Sequence, residues 1–355
     1  MQLDVGNTNT IAGVPGARGN VTGPKGVGRF NRVYAVEAYN NYSYLVSDHN
    51  NRSIRIVDKE GTIENFIGNG SWGNNDGDRL TTGINNPLAL GVDENFNVYF
   101  STNNQLIYKM NVETDRIEVI AGSGDYNFND GVGRAAKFRE VWDLKVNNDG
   151  SILYLLDRWN ASIRKMVLDQ ESGKYEVSTI TIADPDGQFP IQVNKALSET
   201  SIGREAYAID VDWEEQVIFV LSQGRILKLD EINNISSEIR IYPDNYHKLR
   251  DFVYHKPTDQ FIVTDTDWHR IISIKESPVN TNLYSEKSNY FLYSHEDGST
   301  YSFYKLKENE EILEAVFKLN NNSGTEIWLN GRYNQNIGIG DSGDGNYFEE
   351  TDYGY

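Results

Sequence analysis

The chain has 355 residues, carries a formal net charge of −19 from 52 acidic and 33 basic side chains, and contains no cysteine. The missing cysteines exclude disulfides, thiolate nucleophiles and cysteine-ligated zinc, and the acidic balance disfavours nucleic acids and anionic lipid surfaces unless a local basic patch overrides it. Abundant Tyr, Asn and Gly favour strands and turns over helices.

Short strand-like segments recur along the chain in the same order, with a spacing of roughly 45 to 65 residues. The third segment of each unit is the clearest, and it reads SIRIVD at 53–58, LIYKMN at 106–111, SIRKMV at 162–167, RILKLD at 225–230, IISIKE at 271–276 and NIGIGD at 336–341. Six occurrences predict six units, and this period is typical of a four-stranded propeller blade.

The other strands of each unit can also be located. Each third segment follows an apolar second segment that ends in a polar turn, which is a strand-to-hairpin signal. Near-continuous apolar inner strands are predicted to begin at Val33, Leu88, Val141, Ala206, Asp251 and Ile312. Outer strands are predicted at 62–70, 116–124, 176–185 and 289–298, with EIRIYPDN as the candidate of the fourth unit. The sequence therefore predicts an all-β, six-bladed β-propeller with four-stranded blades.

The sixth unit has no obvious outer strand after Asp341, whereas TIAGVPG at 10–16 is similar to VIAGSG of the second unit. We therefore predict that an amino-terminal strand over 9–14 completes blade six, through Thr10, Ile11, Ala12 and Gly13. Such a closure removes exposed sheet edges and ties the chain ends together. It predicts one propeller over residues 1–340 and an acidic, aromatic carboxyl-terminal tail over 341–355.

The glycine-rich segment GSGDYNFNDGVGRAAKFREV at 122–141 resembles the linker of bacterial NHL repeats. VSDHNNRSIRIV, LLDRWNASIRKM and VTDTDWHRIISI are similar to that family's aspartate, asparagine and isoleucine–arginine signature across the second and third strands. The resemblance is best over 26–170 and 260–276, and it implies a β-propeller fold. WD-repeat and kelch propellers are kept only as fold alternatives, since no unit ends in Trp-Asp and the kelch glycine pairs are missing.

Three aspartates, Asp48, Asp157 and Asp265, recur at the end of the second strand, where a carboxylate can accept backbone N–H bonds and stabilise a tight turn. Arg55 and Arg164 follow in the third strand, within reach of those acids. We interpret these five residues as a structural repeat and not as catalytic groups.

No catalytic or cofactor-binding set can be assigned. The five histidines show no i, i+2 or i, i+4 pair that would place two imidazoles on one metal. Metal-dependent lyases of the NHL family use several histidines around the channel, and no such set can be mapped on this chain. Oxygen ligands suitable for calcium occur at Asp76, Asp78, Asp341 and Asp344, although their spacing differs from an EF-hand loop.

The amino terminus lacks the basic and apolar regions of a signal peptide, and no segment is apolar enough to span a bilayer. These observations favour a non-enzymatic scaffold that binds other proteins of a larger assembly, without nucleic acid and without membrane insertion. The most specific form of this hypothesis is a structural phage virion protein of the tail or its attachments. The alternative is a ligand- or glycan-binding propeller, or a propeller enzyme, with its site at the channel mouth.

Overall fold

The computed structural model describes residues 10–184, 186, 190–240, 249–265, 270–275, 288–294, 300–308, 311–320 and 326–331. Within these ranges the regular structure is strands, apart from single-turn 3-10 helices at His49–Asn51, Gly133–Ala135, Arg158–Asn160, Leu197–Glu199 and Lys256–Thr258. None of these helices has the length and apolarity needed to cross a membrane. The predicted all-β propeller class is confirmed.

Among the described residues the propeller has five antiparallel blades. Blade one consists of β1 (Val33–Asn40), β2 (Ser43–Asp48), β3 (Ser53–Asp58) and β4 (Ile63–Ile67). Blade two consists of β5 (Gly77–Asp78), β6 (Pro87–Val92), β7 (Val98–Thr102), β8 (Ile107–Asn111) and β9 (Arg116–Ala121). Blade three consists of β10 (Gly131–Val132), β11 (Val141–Val146), β12 (Ile152–Asp157), β13 (Ser162–Asp169) and β14 (Lys174–Thr179).

Blade four consists of β15 (Ala206–Asp212), β16 (Val217–Ser222), β17 (Arg225–Asp230) and β18 (Ile235–Arg240). Blade five has three strands, β19 (Leu249–His255), β20 (Gln260–Asp265) and β21 (Arg270–Lys275). A further four-stranded antiparallel sheet follows, made of β22 (Ser288–Ser294), β23 (Thr300–Glu308), β24 (Glu311–Asn320) and β25 (Glu326–Gly331).

The glycine-rich linkers complete the outer edge of the blade that follows them. The two-residue strand β5 pairs with the outer strand β9, and β10 pairs with β14 in the same way. In blade one a single bridge between Gly23 and Ile63 takes this position. The linkers therefore give blades two and three a fifth strand, which the sequence analysis did not predict.

Apolar side chains fill the spaces between neighbouring blades, with one cluster for each pair of consecutive blades from one to five. The second strands contribute most, since every residue of β7 and β16 is buried. A strand that is covered on both faces is expected to be apolar almost throughout, and VIFVLS in β16 has that character.

The prediction of six four-stranded blades is wrong in both numbers, because the part of the chain that the structure describes forms five blades of three to five strands. The segment 289–298 was predicted as an outer strand of blade five, but β22 pairs with β23 instead. Ile312, predicted to begin an inner strand, lies in the third strand of the same sheet. Strands that follow one another closely in sequence tend to pair locally, and β22 to β25 do so in chain order.

The predicted closure segment lies beside blade one. Ala12 packs with Phe30 against Val46, Val57 and Ile63 on one face of that blade. Thr10 to Gly13 are not part of a strand, and no pairing with the last sheet occurs among the described residues. NIGIGD at 336–341, the tail over 341–355 and the boundary at 340 lie outside the described ranges. The described residues do not test whether residues 9–14 pair with the carboxyl-terminal part of the chain, and this pairing stays a prediction.

Candidate functional site

The inner strands β1, β6, β11, β15 and β19 are neighbours in space in that order and line the propeller axis. Each has a register irregularity near its start. The inner strands can be aligned by the residues of the second strands with which they pair. In this alignment the residue opposite the position three residues before the end of the second strand is, in blade order, Glu37, Gly91, Lys145, Asp210 and Val253. The inner strands therefore place charged side chains at matched depths along the axis.

One lysine lies among four carboxylates, two of which, Glu37 and Asp210, share its register position, whereas Asp143 and Asp251 lie two residues nearer the start of their strands. We call these residues the channel ring, and they are Glu37, Asp143, Lys145, Asp210 and Asp251. The Lys145 Nζ is 3.6 Å from an Asp143 carboxylate oxygen. Burial lowers the pKa of Lys145, but the negative charges of the other members outweigh this effect and raise it. The lysine therefore stays charged at neutral pH.

Two acids of the channel ring join neighbouring blades. The carboxylate of Asp143 accepts the N–H of Ile209 at 2.8 Å, and that of Asp210 accepts the N–H of Tyr254 at 2.8 Å. These N–H groups lie on strand edges that lack a ladder partner across the blade boundary, so the carboxylates satisfy them. Burial raises the pKa of Asp143, an effect that Lys145 opposes. The channel ring thus has a structural role, because it joins neighbouring blades.

Aromatic rings form a chain across the end of the channel where the inner strands begin. Tyr34 of blade one lies edge-on to Trp142 of blade three, with centroids 6.2 Å apart, and Trp142 lies 6.3 Å from Tyr207 of blade four. These rings occupy the second position of their inner strands, where blade two has Leu88 and blade five has Arg250. This row of aromatic rings therefore crosses the mouth of the channel.

Arginines stack on these rings. The guanidinium carbon of Arg158 is 3.9 Å from the Trp142 ring centroid, that of Arg250 is 4.2 Å from Tyr207, and that of Arg32 is 5.1 Å from Tyr34. Such cation–π contacts orient a guanidinium against a ring face. We call the six residues the mouth cluster: Arg32, Tyr34, Trp142, Arg158, Tyr207 and Arg250.

Within the mouth cluster, Arg158 is buried, whereas Arg32 and Arg250 are exposed. The Glu205 carboxylate lies 3.5 Å from the Arg158 guanidinium and accepts a hydrogen bond from the Tyr207 hydroxyl. The indole N–H of Trp159 is donated to Glu140. This end of a chain whose net charge is −19 thus gathers three arginines, with Asp143 and Asp251 of the channel ring next in sequence to Trp142 and Arg250.

His49 packs against the mouth cluster, with its ring centroid 4.4 Å from that of Tyr34. Its Nδ1 lies 3.1 Å from the Pro87 carbonyl and is positioned to donate to it. Burial lowers the pKa of His49, so the imidazole is neutral at physiological pH. The histidine therefore supports Tyr34 without adding charge to the mouth.

The repeated aspartates and arginines form buried pairs. The Asp48 carboxylate accepts a bond from Arg55 Nε at 3.1 Å and from the N–H of Asn31 at 2.7 Å. Asp157 accepts a bond from Arg164 Nη1 at 2.8 Å, and both side chains are fully buried. Each pair links a blade to the linker that precedes it, since Asn31 and the Arg164 partner Asp130 both lie on linkers.

The same register position differs in the other blades. Asp265 pairs with Arg270 in the backbone register of blade five. In blades two and four a hydroxyl replaces the carboxylate: Thr102 Oγ1 lies 3.1 Å from the Leu106 carbonyl and Ser222 Oγ lies 2.7 Å from that of Ile202. The blades that lack the signature therefore hold their turns and linkers with neutral hydrogen bonds.

The calcium candidates are engaged by other groups. Asp76 Oδ1 accepts the N–H of Val119 at 2.8 Å, and Asp78 Oδ1 accepts that of Leu80 at 3.0 Å. Asp341 and Asp344 lie outside the described residues. Within the described ranges, no group of three or more His, Asp or Glu side chains converges as a metal site would require. Calcium binding by these aspartates stays a prediction.

The sequence analysis missed both the mouth cluster and the channel ring. It treated the inner strands as apolar blade contacts, although β1, β11, β15 and β19 contain charged residues that belong to the channel ring. If the blades are aligned on the last residue of each second strand, Tyr34, Trp142, Tyr207 and Arg250 fall at the same level of their inner strands. That alignment is the signal that could have revealed the mouth.

No family model matches the chain. A curated relative, the Arabidopsis thaliana protein SUPPRESSOR OF QUENCHING 1, chloroplastic, is 24% identical over 287 residues, which are 76% of this chain and 24% of that protein. The chain thus spans about a quarter of that relative. At this identity and coverage the match does not assign a family.

Solved structures that resemble the chain are β-propeller proteins. An auxiliary nutrient binding protein from Bacteroides ovatus is 12% identical, with a TM-score of 0.44 and coverage of 72% of each chain. Virginiamycin B lyase from Staphylococcus aureus is 9% identical, with a TM-score of 0.42 and coverage of 86% of this chain and 85% of that one. These likenesses carry no argument about function.

Proposed function

We propose that the chain is a non-enzymatic interaction scaffold that holds a partner protein at the mouth cluster. The observation that carries this proposal is the concentration of Trp, Tyr and Arg at one end of the channel, since these residue types dominate binding energy in protein interfaces. Stacking of Arg158 between Trp142 and Trp159, at 3.9 and 4.5 Å, fixes the cluster before a partner arrives. Preorganised side chains lose less entropy on binding.

Polar clamps between blades support a rigid scaffold. Glu231 of blade four accepts bonds from Lys165 of blade three at 2.9 Å and from the Tyr154 hydroxyl. Lys256 of blade five donates to Asp212 of blade four at 2.8 Å. Together with the interblade apolar clusters, these contacts favour binding with little change in backbone shape.

The narrower hypotheses rest on the sequence. Membership of the NHL-repeat family rests on the aspartate, asparagine and isoleucine–arginine signature and on the glycine-rich linkers. A place in a phage tail, and hence in a virion, rests on composition and on the absence of cysteine. Both stay predictions. A ligand-binding or enzymatic propeller is the alternative, and it uses the same end of the channel.

The proposal is tested on protein purified in native form from its source, by light scattering and by hydroxyl-radical footprinting with mass spectrometry. We expect a mass well above 40.3 kDa with a second chain present. Labelling of Tyr34, which is 37% exposed, should fall relative to the isolated chain, whereas Trp72, 60% exposed on a linker, serves as the control. A monomer, or an assembly in which Tyr34 is labelled as fast as in the isolated chain, would refute the proposal.

A further inference from the structure

The exposed arginines of the mouth cluster present their N–H edges to solvent. A guanidinium carbon 4.2 Å from the Tyr207 centroid places Arg250 against the ring face. A guanidinium that stacks on a ring face keeps the N–H donors at its edge free, and this fork matches the two oxygens of a carboxylate. Arg32 is held in the same manner on Tyr34.

The two exposed arginines differ from Arg158 in their ion pairs. Within the part of the chain that the structure describes, no carboxylate forms an ion pair with Arg32 or Arg250, whereas Arg158 between them is paired with Glu205. The two free guanidinium groups stand at opposite ends of the aromatic chain, Arg32 beside Tyr34 and Arg250 beside Tyr207. The mouth therefore offers two separated cationic positions joined by an aromatic floor.

We propose that the mouth cluster is a receptor for carboxylates, and that its ligand is an extended acidic segment of a partner protein whose side chains bind Arg32 and Arg250. This inference rests on the scaffold function proposed above and names the chemistry of the partner. One carboxylate is bound at each end, and the intervening backbone and side chains lie over the aromatic floor. Charge-assisted, bidentate bonds of this kind are among the strongest hydrogen bonds in proteins.

The same geometry disfavours two other occupants. A saccharide needs a bare aromatic face to stack on, but guanidinium groups already lie against the rings of Trp142 and Tyr207. A nucleic acid needs a line of cations that follows its phosphates, together with free rings for its bases. Two exposed arginines on a chain of net charge −19 do not supply such a line.

The overall charge decides the conditions of the test. At low salt the net charge repels an acidic ligand before it reaches the mouth, whereas at about 0.15 M salt the screening length is about 8 Å and contact at the arginines persists. Affinity for an acidic peptide should therefore rise from very low salt to about this value and fall again in concentrated salt, a profile that unspecific attraction cannot produce.

The probe is a fluorescent hexaglutamate peptide, titrated into the full chain at about 0.15 M salt, with hexaglutamine as the matched neutral peptide. Arg32→Met and Arg250→Met each remove one guanidinium and retain an unbranched, flexible side chain. Arg116→Met removes another exposed arginine, on the outer strand β9, and is the control. We expect hexaglutamate to bind, hexaglutamine not to bind, and each mouth variant to weaken binding about tenfold or more.

The inference fails if hexaglutamine binds equally well, if the mouth variants bind hexaglutamate like Arg116→Met, or if a thymidine octanucleotide or oligogalacturonate binds more tightly than hexaglutamate. Circular dichroism checks that the variants are folded, which is expected because both arginines are exposed. Failure of the carboxylate-receptor inference can be distinguished from failure of the proposed scaffold function. A native assembly that protects Tyr34 while the purified chain ignores hexaglutamate would retain the scaffold and reject the carboxylate receptor.

Discussion

Replacing Asp157 by Asn should destabilise the propeller by about 3 kcal/mol, at the lower end of the range for breaking a buried ion pair. Asp157 and Arg164 are both fully buried, and their charged groups are 2.8 Å apart. The variant leaves Arg164 buried with Asp130 as its remaining charged partner, which is 47% exposed on its linker. That remaining pair keeps the loss below the maximum.

The assay is urea unfolding followed by circular dichroism, and Asp125→Asn is the matched control, since Asp125 forms a 2.9 Å pair with Lys137 that is open to solvent. The control should leave the unfolding midpoint unchanged. Burial raises the pKa of Asp157 against the attraction of Arg164, so the carboxylate is costly to bury even when paired. Combining Asp157→Asn with Arg164→Met should therefore cost less than the two single changes together. A loss below about 1 kcal/mol for Asp157→Asn, or strict additivity, would refute this reasoning.

Two further changes test the channel and a linker. Burial raises the pKa of Asp143 and Asp251 in the channel ring. A raised carboxyl pKa stabilises the folded state at low pH, and this stabilisation is lost as the pH rises through the folded pKa. Lys145→Met should raise these pKa values further and should therefore destabilise the fold more at pH 7 than at pH 5. Equal losses of urea midpoint at both pH values would contradict this role. Gly122 has φ +96° and a Cβ there would lie 2.2 Å from the Gln105 carbonyl oxygen, whereas Gly173 has φ +67° and open space. Gly122→Ala should cost about 3 kcal/mol and Gly173→Ala about 1 kcal/mol in thermal unfolding, and similar values would show that the clash is absent.

Local patterns were sufficient to predict the blades that have them. The third strands at 53–58, 162–167 and 225–230 lie within β3, β13 and β17, because apolar alternation next to a polar turn is a property of a few neighbouring residues. The outer strand of blade four was found from the weak EIRIYPDN segment, which overlaps β18. These elements need no information about distant parts of the chain.

The last third of the chain could not be predicted in the same way. The segment 289–298 has the composition of a blade strand, and nothing within it decides whether its partner is β21 or β23. The pairing depends on the length and order of the strands that follow, and β23 and β24 are nine and ten residues long, longer than any blade strand. Strands near β22 and β24 were therefore predicted, whereas β23 and the sheet to which each strand belongs were not.

The mouth cluster was hidden for a different reason. Trp142 and Tyr34 are more than a hundred positions apart, and the contact between them exists only because the inner strands of blades one and three face a common axis. Composition gives an average charge, and an average of −19 conceals the arginines at one end. Such a site can be inferred only after the repeats are aligned by their register.

Depth along the inner strands separates stability from recognition. The deeper acids Asp143 and Asp210 are bound to backbone N–H groups of the next blade, so changing them disturbs the joints of the propeller. The side chains of Arg32 and Arg250, at the mouth, stack on aromatic rings and form no ion pair among the described residues. A residue without a structural partner can vary without unfolding the protein, and its charge is available to a ligand. Variants at the mouth should therefore alter binding while the unfolding midpoint stays constant, and variants in the channel ring should do the reverse.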